Sequence, residues 1–131
     1  SSCGAAQACL EDAVAWARER KTFGQPLIAH QVIRHKLVDM AERIEATRAL
    51  IDDLASRLDA GEQPVAQTAM AQNYAARTMQ FCADATVQIL GGSGYMRGVR
   101  VERIYREVKV MMIGGGAEEV LKDLAARQLG L

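Results

Sequence analysis

The sequence predicts an all-α fold, an antiparallel four-helix up-and-down bundle with a short additional C-terminal helix. Three observations predict it. Apolar residues recur at alternating spacings of three and four along most of the chain. No run alternates apolar and polar residues convincingly enough for a half-buried strand. The only two prolines, Pro26 and Pro64, fall at apparent boundaries between helical stretches.

A first helix is expected over about Ser2 to Arg20, where Ala5, Ala6, Cys9, Leu10, Ala13, Val14 and Ala17 share a face. Lys21 to Pro26 reads as a turn. The second helix is the clearest element: Ile33, Leu37, Met40, Ile44, Thr47, Ile51, Leu54 and Leu58 form one long stripe. Between them Arg34, Glu42, Arg43, Glu45, Asp52 and Arg57 fall mostly on the solvent side. Gly61 ends that helix, and Pro64 suits the first turn of the next. A third helix runs from about Pro64 to Leu90, with Ala71, Tyr74, Thr78, Phe81, Ala85 and Ile89 in register, and stops at Gly91-Gly92. A fourth covers about Val99 to Met112, with Met111 and Met112 as core filler at its end. The last runs from near Gly116 to about Gln128, with Glu118 and Glu119 in its first turn, where acidic groups complement the helix dipole.

Half of the 131 residues are apolar, enough for one domain with its own core. Lys plus Arg (16) balance Asp plus Glu (16), which argues against nucleic-acid binding through a broad basic surface. Cys3, Cys9 and Cys82 show no Cys-x-x-Cys spacing and are read as free thiols in a reducing compartment, with Cys3 and Cys9, among small and apolar residues of a helix, expected to be buried. No apolar run approaches the roughly 20 residues that span a bilayer. The chain opens on Ser1, without an initiating Met, directly into a helical pattern. It is expected to be a single domain, residues 1–131, cut from a longer chain.

Metal binding has no ligand pattern behind it: His30 and His35 are five apart and lack a carboxylate or Cys at ligand spacing. No nucleophile-elbow sequence or phosphate-loop Gly-Lys-Ser/Thr is present. Chemistry is concentrated instead in three segments. The stretch Arg20 to Gln31 joins a permanent cation, the Thr22 hydroxyl, the Phe23 ring and a His30-Gln31 pair. An arginine and a hydroxyl suit a pyrophosphate, and an aromatic ring covers a flat heterocycle. A helix C-cap with an aromatic plug is the plainer reading, and spacing alone leaves both open. Gln88 stands one turn before the Gly91-Gly92 corner, and the run Gly114-Gly115-Gly116 opens the last helix; glycines there admit close approach of a ligand to backbone amides.

Taken together, these segments resemble the C-terminal helical domain of acyl-CoA dehydrogenases. The matching stretches are RERKTFGQPLIAHQ, VQILGGSGYMRG and RIYREVKVMMIGGGAEEVLKDLAARQLG, in the family's order and spacing over essentially the whole chain. The resemblance implies FAD as cofactor and acyl-CoA thioesters as substrates. It places Arg20 and Thr22 at the pyrophosphate and adenosine half of a neighbouring subunit's FAD, with Phe23, Leu27, His30 and Gln31 lining that site. Gln88, Gly91 and Gly92 would contact the same dinucleotide. Gly116, Ala117 and Glu119 would lie beside a flavin, and the Gly115 amide would polarise the thioester carbonyl.

The implied reaction is removal of a Cα proton by a carboxylate with hydride transfer from Cβ to the flavin. Many family members carry that carboxylate as a Glu just before the Gly-Thr of the last corner; here Gly115 holds that place and Ala117 replaces the Thr. A minority branch, including isovaleryl- and long-chain-type enzymes, carries it on the helix leading into this domain. By that resemblance the base is expected about two helical turns upstream of Ser1. No catalytic residue is then expected within these 131 residues, and they alone are expected to be inactive. The resemblance also implies a homo-oligomer, dimer or tetramer, with an electron-transfer flavoprotein as redox partner. Composition points to a bacterial cytoplasm ahead of a mitochondrial matrix. Two alternatives stay open: a non-catalytic self-association bundle, and a related FAD enzyme such as an acyl-CoA oxidase.

Overall fold

Helix α3 (Val65–Leu90) is the axis of the fold, and every other long helix packs on it. The structure, a computed structural model, describes residues 1–131. Around the axis stand α1 (Ser2–Glu19), α2 (Gln31–Asp59), α5 (Arg100–Ile113) and α6 (Glu118–Gln128), with a single-turn α4 (Gly92–Tyr95) after α3. The all-α expectation holds.

Small residues let α1 lie close to α3: Ala6, Cys9, Ala13 and Ala17 recur at three and four and are fully buried. Ser1 caps the helix, its Oγ accepting from the Gly4 amide at 3.2 Å. On α2, Leu37, Met40, Ile44, Thr47 and Leu54 are buried as the stripe predicts. Ile51 and Leu58, at its far end, are exposed. The reason is length: α1 meets α2 with its first turns, where Gln7 Oε1 accepts from Arg48 at 2.9 Å, so the rest of α2 runs on without that cover. Arg43 is not simply solvated, since its guanidinium lies over the Phe81 ring at 3.9 Å from the centroid.

Because α3 is surrounded, it buries polar residues too, and each finds a partner. Thr47 and Thr78 share a hydrogen bond of 2.9 Å across α2 and α3, and Thr86 donates to the Cys9 carbonyl at 3.0 Å. No buried side-chain polar atom is left unpaired. Cys9 and Cys82 are buried and Cys3 half-buried. Burial pushes the Cys9 thiol up to about 12 and the Cys82 thiol up to about 11.

The C-terminal helix is more than an appendage. Ile104 and Val108 of α5 belong to the main core with Ile89 and Leu90, at one end of α3. Farther along, Leu121 and Ala125 of α6 pack on Ala66 and Ala69, at the other. The two helices thus take the fourth position of the bundle in succession, broken at Gly114–Gly116. Met111, at the end of α5, is exposed rather than core filler, and only Met112 packs against the core. The short α4 has a steric origin. A Cβ on Gly94 would stand 3.0 Å from Leu90 Cβ and from the Val87 carbonyl, so glycine lets the chain fold back onto α3.

Candidate functional site

Residues 21–26 form more than a turn. Lys21–Thr22 (β1) pairs antiparallel with Gln25–Pro26 (β2), and Phe23 and Gly24 make the tip at φ 53° and 78°. Two consecutive positive φ values are the two-residue hairpin geometry that matches strand twist, and it favours Asn or Gly at the first place. Phe23 holds that place, and its ring is 96% exposed. An aromatic plug is therefore excluded. The tip presents an apolar ring to solvent from a backbone conformation that costs about 1 kcal/mol.

The hairpin is braced from behind. Thr22 Oγ1 lies 3.2 Å from His30 Nε2, and the Phe23 ring meets the His30 ring edge-on with centroids 6.4 Å apart. Arg34 donates to the carbonyls of Ile28 and Ala29 at 3.1 and 2.7 Å, fixing the turn before α2. Arg20 caps α1 in an extended conformation and its carbonyl accepts from the Leu27 amide at 2.8 Å.

Between this hairpin and the end of α3 lies a cavity of about 640 Å³. Arg20, Thr22 and Leu27 line one side, Gly91 and Gly92 the other, so five residues singled out from separate segments share one concavity. Nothing stands within 4 Å of a Cβ placed on Gly91 or Gly92, which leaves their backbone open to a ligand. A guanidinium, a hydroxyl and a bare glycine backbone over an apolar floor suit a dinucleotide's pyrophosphate and ring. Trp16, Ile89, Leu90, Ser93 and Met96 also line the cavity and were not anticipated. Trp16 had a signal: it precedes Arg20 by four residues, hence shares its helix face. Gln88 is exposed on α3 but does not line this cavity, nor do Phe23, His30 and Gln31, the last exposed at the start of α2.

The second constellation is the Gly114–Glu119 corner. Gly115 and Gly116 sit at φ 81° and 122°, so a carboxylate side chain at position 115 would be strained in this backbone. The Gly115 amide donates to no backbone carbonyl. Ala117 caps α6 without a side-chain acceptor, which leaves the first amides of that helix free as well. Glu118 is engaged. Arg77 and Lys122 bind its carboxylate, and Arg77 foremost holds it down at about 2. Gln72, Asn73 and Arg77 of α3 face this corner; their relation to it, over 40 residues away in sequence, left no local trace. Measured along α3 from Gln72 to Gly91, corner and cavity are about 28 Å apart. No group of three His, Cys, Asp or Glu side chains converges as a metal site, and no helix is long and apolar enough to cross a membrane.

The family model for the acyl-CoA dehydrogenase C-terminal domain matches residues 1–130. The chain belongs to the acyl-CoA dehydrogenase family. A probable acyl-CoA dehydrogenase of Bacillus subtilis, YngJ, is 40% identical over 126 residues, 96% of this chain and 33% of its own length. A subunit of the caffeyl-CoA reductase–Etf complex of Acetobacterium woodii, CarC, is 38% identical over 91% of this chain and 31% of its own. The crystal structure of a putative acyl-CoA dehydrogenase from Mycobacterium smegmatis superposes with a TM-score of 0.96 at 41% identity, over 98% of this chain and 34% of that one. The chain thus spans about a third of the length of the acyl-CoA dehydrogenases it matches.

Proposed function

We infer that this domain bridges two FAD sites in an acyl-CoA dehydrogenase that desaturates an acyl-CoA thioester between Cα and Cβ. The separation of corner and cavity along α3 carries the reading. Two ligand-facing constellations that far apart suit a chain whose corner addresses its own flavin while its hairpin cavity addresses the dinucleotide of a neighbouring copy. That arrangement makes a homo-oligomer, dimer or tetramer, part of the site.

In the cavity, Arg20 and Thr22 bind the pyrophosphate, and Gly91 and Gly92 admit it to backbone contact. Leu27 lines the same dinucleotide within the cavity, and Phe23, His30, Gln31 and Gln88, which stand outside the cavity, are assigned to the part of it that extends beyond. Phe23 projects where a planar ring would lie, which accounts for an exposed aromatic kept on a strained tip. At the corner, the amides of Gly116, Ala117 and Glu119 face the flavin. The Gly115 amide, free of backbone partners, donates to the thioester carbonyl and stabilises the enolate that develops there. Bound FAD supplies the acceptor for the hydride leaving Cβ.

Glu118 does not take the Cα proton, because Arg77 and Lys122 hold its carboxylate and leave it too weak a base. We assign that proton to a carboxylate outside residues 1–131. Electrons then pass to an electron-transfer flavoprotein, the partner class with which CarC forms the caffeyl-CoA reductase–Etf complex. The bacterial sources of CarC and YngJ favour a bacterial cytoplasm as the setting.

The test is the absorbance spectrum of the chain extended to its relatives' full length, before and after anaerobic addition of an acyl-CoA panel. A yellow protein that bleaches with one chain length is expected. A colourless protein refutes the FAD assignments at Arg20, Thr22, Gly91 and Gly92. Oxygen consumption on turnover would instead mark an oxidase.

A further inference from the structure

The corner after α5 lacks intrinsic rigidity. Gly114, Gly115 and Gly116 stand in a row, and glycine loses more conformational freedom on ordering than any other residue. The corner's own bonds are two, from the Gly114 amide to Val110 O at 2.7 Å and from the Gly116 amide to Ile113 O at 3.3 Å. Both tie it back to α5. On its other side the anchor is Glu118, the first residue of α6. Its carboxylate accepts from Arg77 of α3 and, at 2.8 Å, from Lys122. Its carbonyl accepts from Asn73 Nδ2, also of α3, at 3.1 Å.

Asn73 is buried and lies one turn from Arg77, on the helix against which the whole bundle packs. Glu118 thus joins axis and corner by its side chain and its backbone together, beside the apolar packing of Leu121 and Ala125 on Ala66 and Ala69. Lys122 shares a helix with Glu118 and cannot fix α6 relative to α3. Arg77 and Asn73 can.

We propose that Arg77, with Asn73, is a positioning residue that acts through Glu118 to hold the Gly115 amide where it polarises the thioester carbonyl. This rests on the assignment of the corner to the thioester given above. A hydrogen bond weakens steeply as its angle closes, and misplacing a reacting group by an ångström costs up to about a hundredfold in rate. The ion pair itself is half exposed and adds little to global stability. Its loss is therefore read in the corner, with the fold intact.

The experiment uses the full-length, flavin-loaded protein and three variants, Arg77→Met, Arg77→Lys and Glu118→Gln. Flavin content, kcat and KM are measured, together with the carbonyl stretch of a bound, isotope-labelled enoyl-CoA. Arg77→Met and Glu118→Gln are expected to keep their flavin, hold KM within about twofold and lose roughly tenfold in kcat. The carbonyl band moves back toward its free position in both, and Arg77→Lys restores most of each effect. Unchanged kcat and band position in Arg77→Met and Glu118→Gln overturn the proposal. So do losses confined to KM and flavin content. A wild-type protein whose thioester band does not shift on binding overturns the assignment of the corner itself, and the role of Arg77 with it.

Discussion

Thr22 and His30 lock the base of the exposed hairpin, Oγ1 to Nε2 at 3.2 Å across eight residues. Thr22 lines the cavity while His30 stands behind it, just before α2. His30 thereby ties the cavity wall to the longest helix of the bundle. Replacing either partner, Thr22→Val or His30→Leu, is expected to weaken flavin binding by the full-length protein about five- to tenfold, the worth of one net hydrogen bond. The double variant should cost less than the two single effects combined, because both remove the same interaction. Flavin retained per subunit, read from its visible absorbance after dialysis at graded dilution, supplies the signal. Full additivity would show that the pair does not act as a unit.

Phe23→Asn should separate stability from binding. The ring is almost wholly exposed, so its removal forfeits little burial, while the Asn-Gly pair it creates favours the two positive φ values of the tip. Thermal unfolding is expected to move up by a few degrees, for a gain of about 1 kcal/mol. Flavin affinity is expected to fall in the same variant. A gain in both would remove Phe23 from the site.

The helical part of this fold was legible because its signals are local. The stripe from Leu37 to Leu54 and the Gly61 and Pro64 boundaries each need only a few neighbouring residues. The exposure of Ile51 and Leu58 was not legible, since it depends on how far α1 reaches along α2. The same holds for α6, whose pattern marks a helix but says nothing of its continuing the line of α5.

At the site the division is similar. Arg20, Thr22, Gly91 and Gly92 were each recognisable by residue type, but only the fold brings them around one cavity. The residues that face the other constellation, Asn73 and Arg77 at the Gly114–Glu119 corner, carry no signature of their own, because what they hold lies on another helix.

The buried threonine pair offers an asymmetric test of packing. Thr47 Oγ1 donates to the Arg43 carbonyl at 2.7 Å, which leaves its oxygen to accept from Thr78. Thr47→Val therefore strands a buried Thr78 hydroxyl, at about 1–3 kcal/mol. Thr78→Val leaves Thr47 still bonded to Arg43 and should cost clearly less. The double Val variant should be less destabilised than the sum of the two. Denaturant unfolding of all four forms gives the comparison, and equal single-variant costs would contradict the donor assignment.

Glu118 ties the acid behaviour of the protein to its corner. Arg77 first, then Lys122, draws the carboxyl down from 4.5 to about 2 in the fold. A group depressed in this way stabilises the folded state fully above its unfolded pKa and loses that contribution as pH falls through the folded one. The window is thus pH 4.5 down to about 2. Glu118→Gln removes the titrating group, so wild type should be slightly the more stable at neutral pH, the pair being screened by solvent, with a small gap that narrows across the window and closes below it. Arg77→Met should show a smaller gap from Glu118→Gln than wild type does, because Lys122 alone then holds the carboxylate. Unfolding curves of the three proteins at pH 7, 4 and 2 decide the matter. A gap between wild type and Glu118→Gln that stays constant with pH would mean that the carboxylate is not held by these cations in solution. The anchor assigned to the glycine corner would then be lost as well.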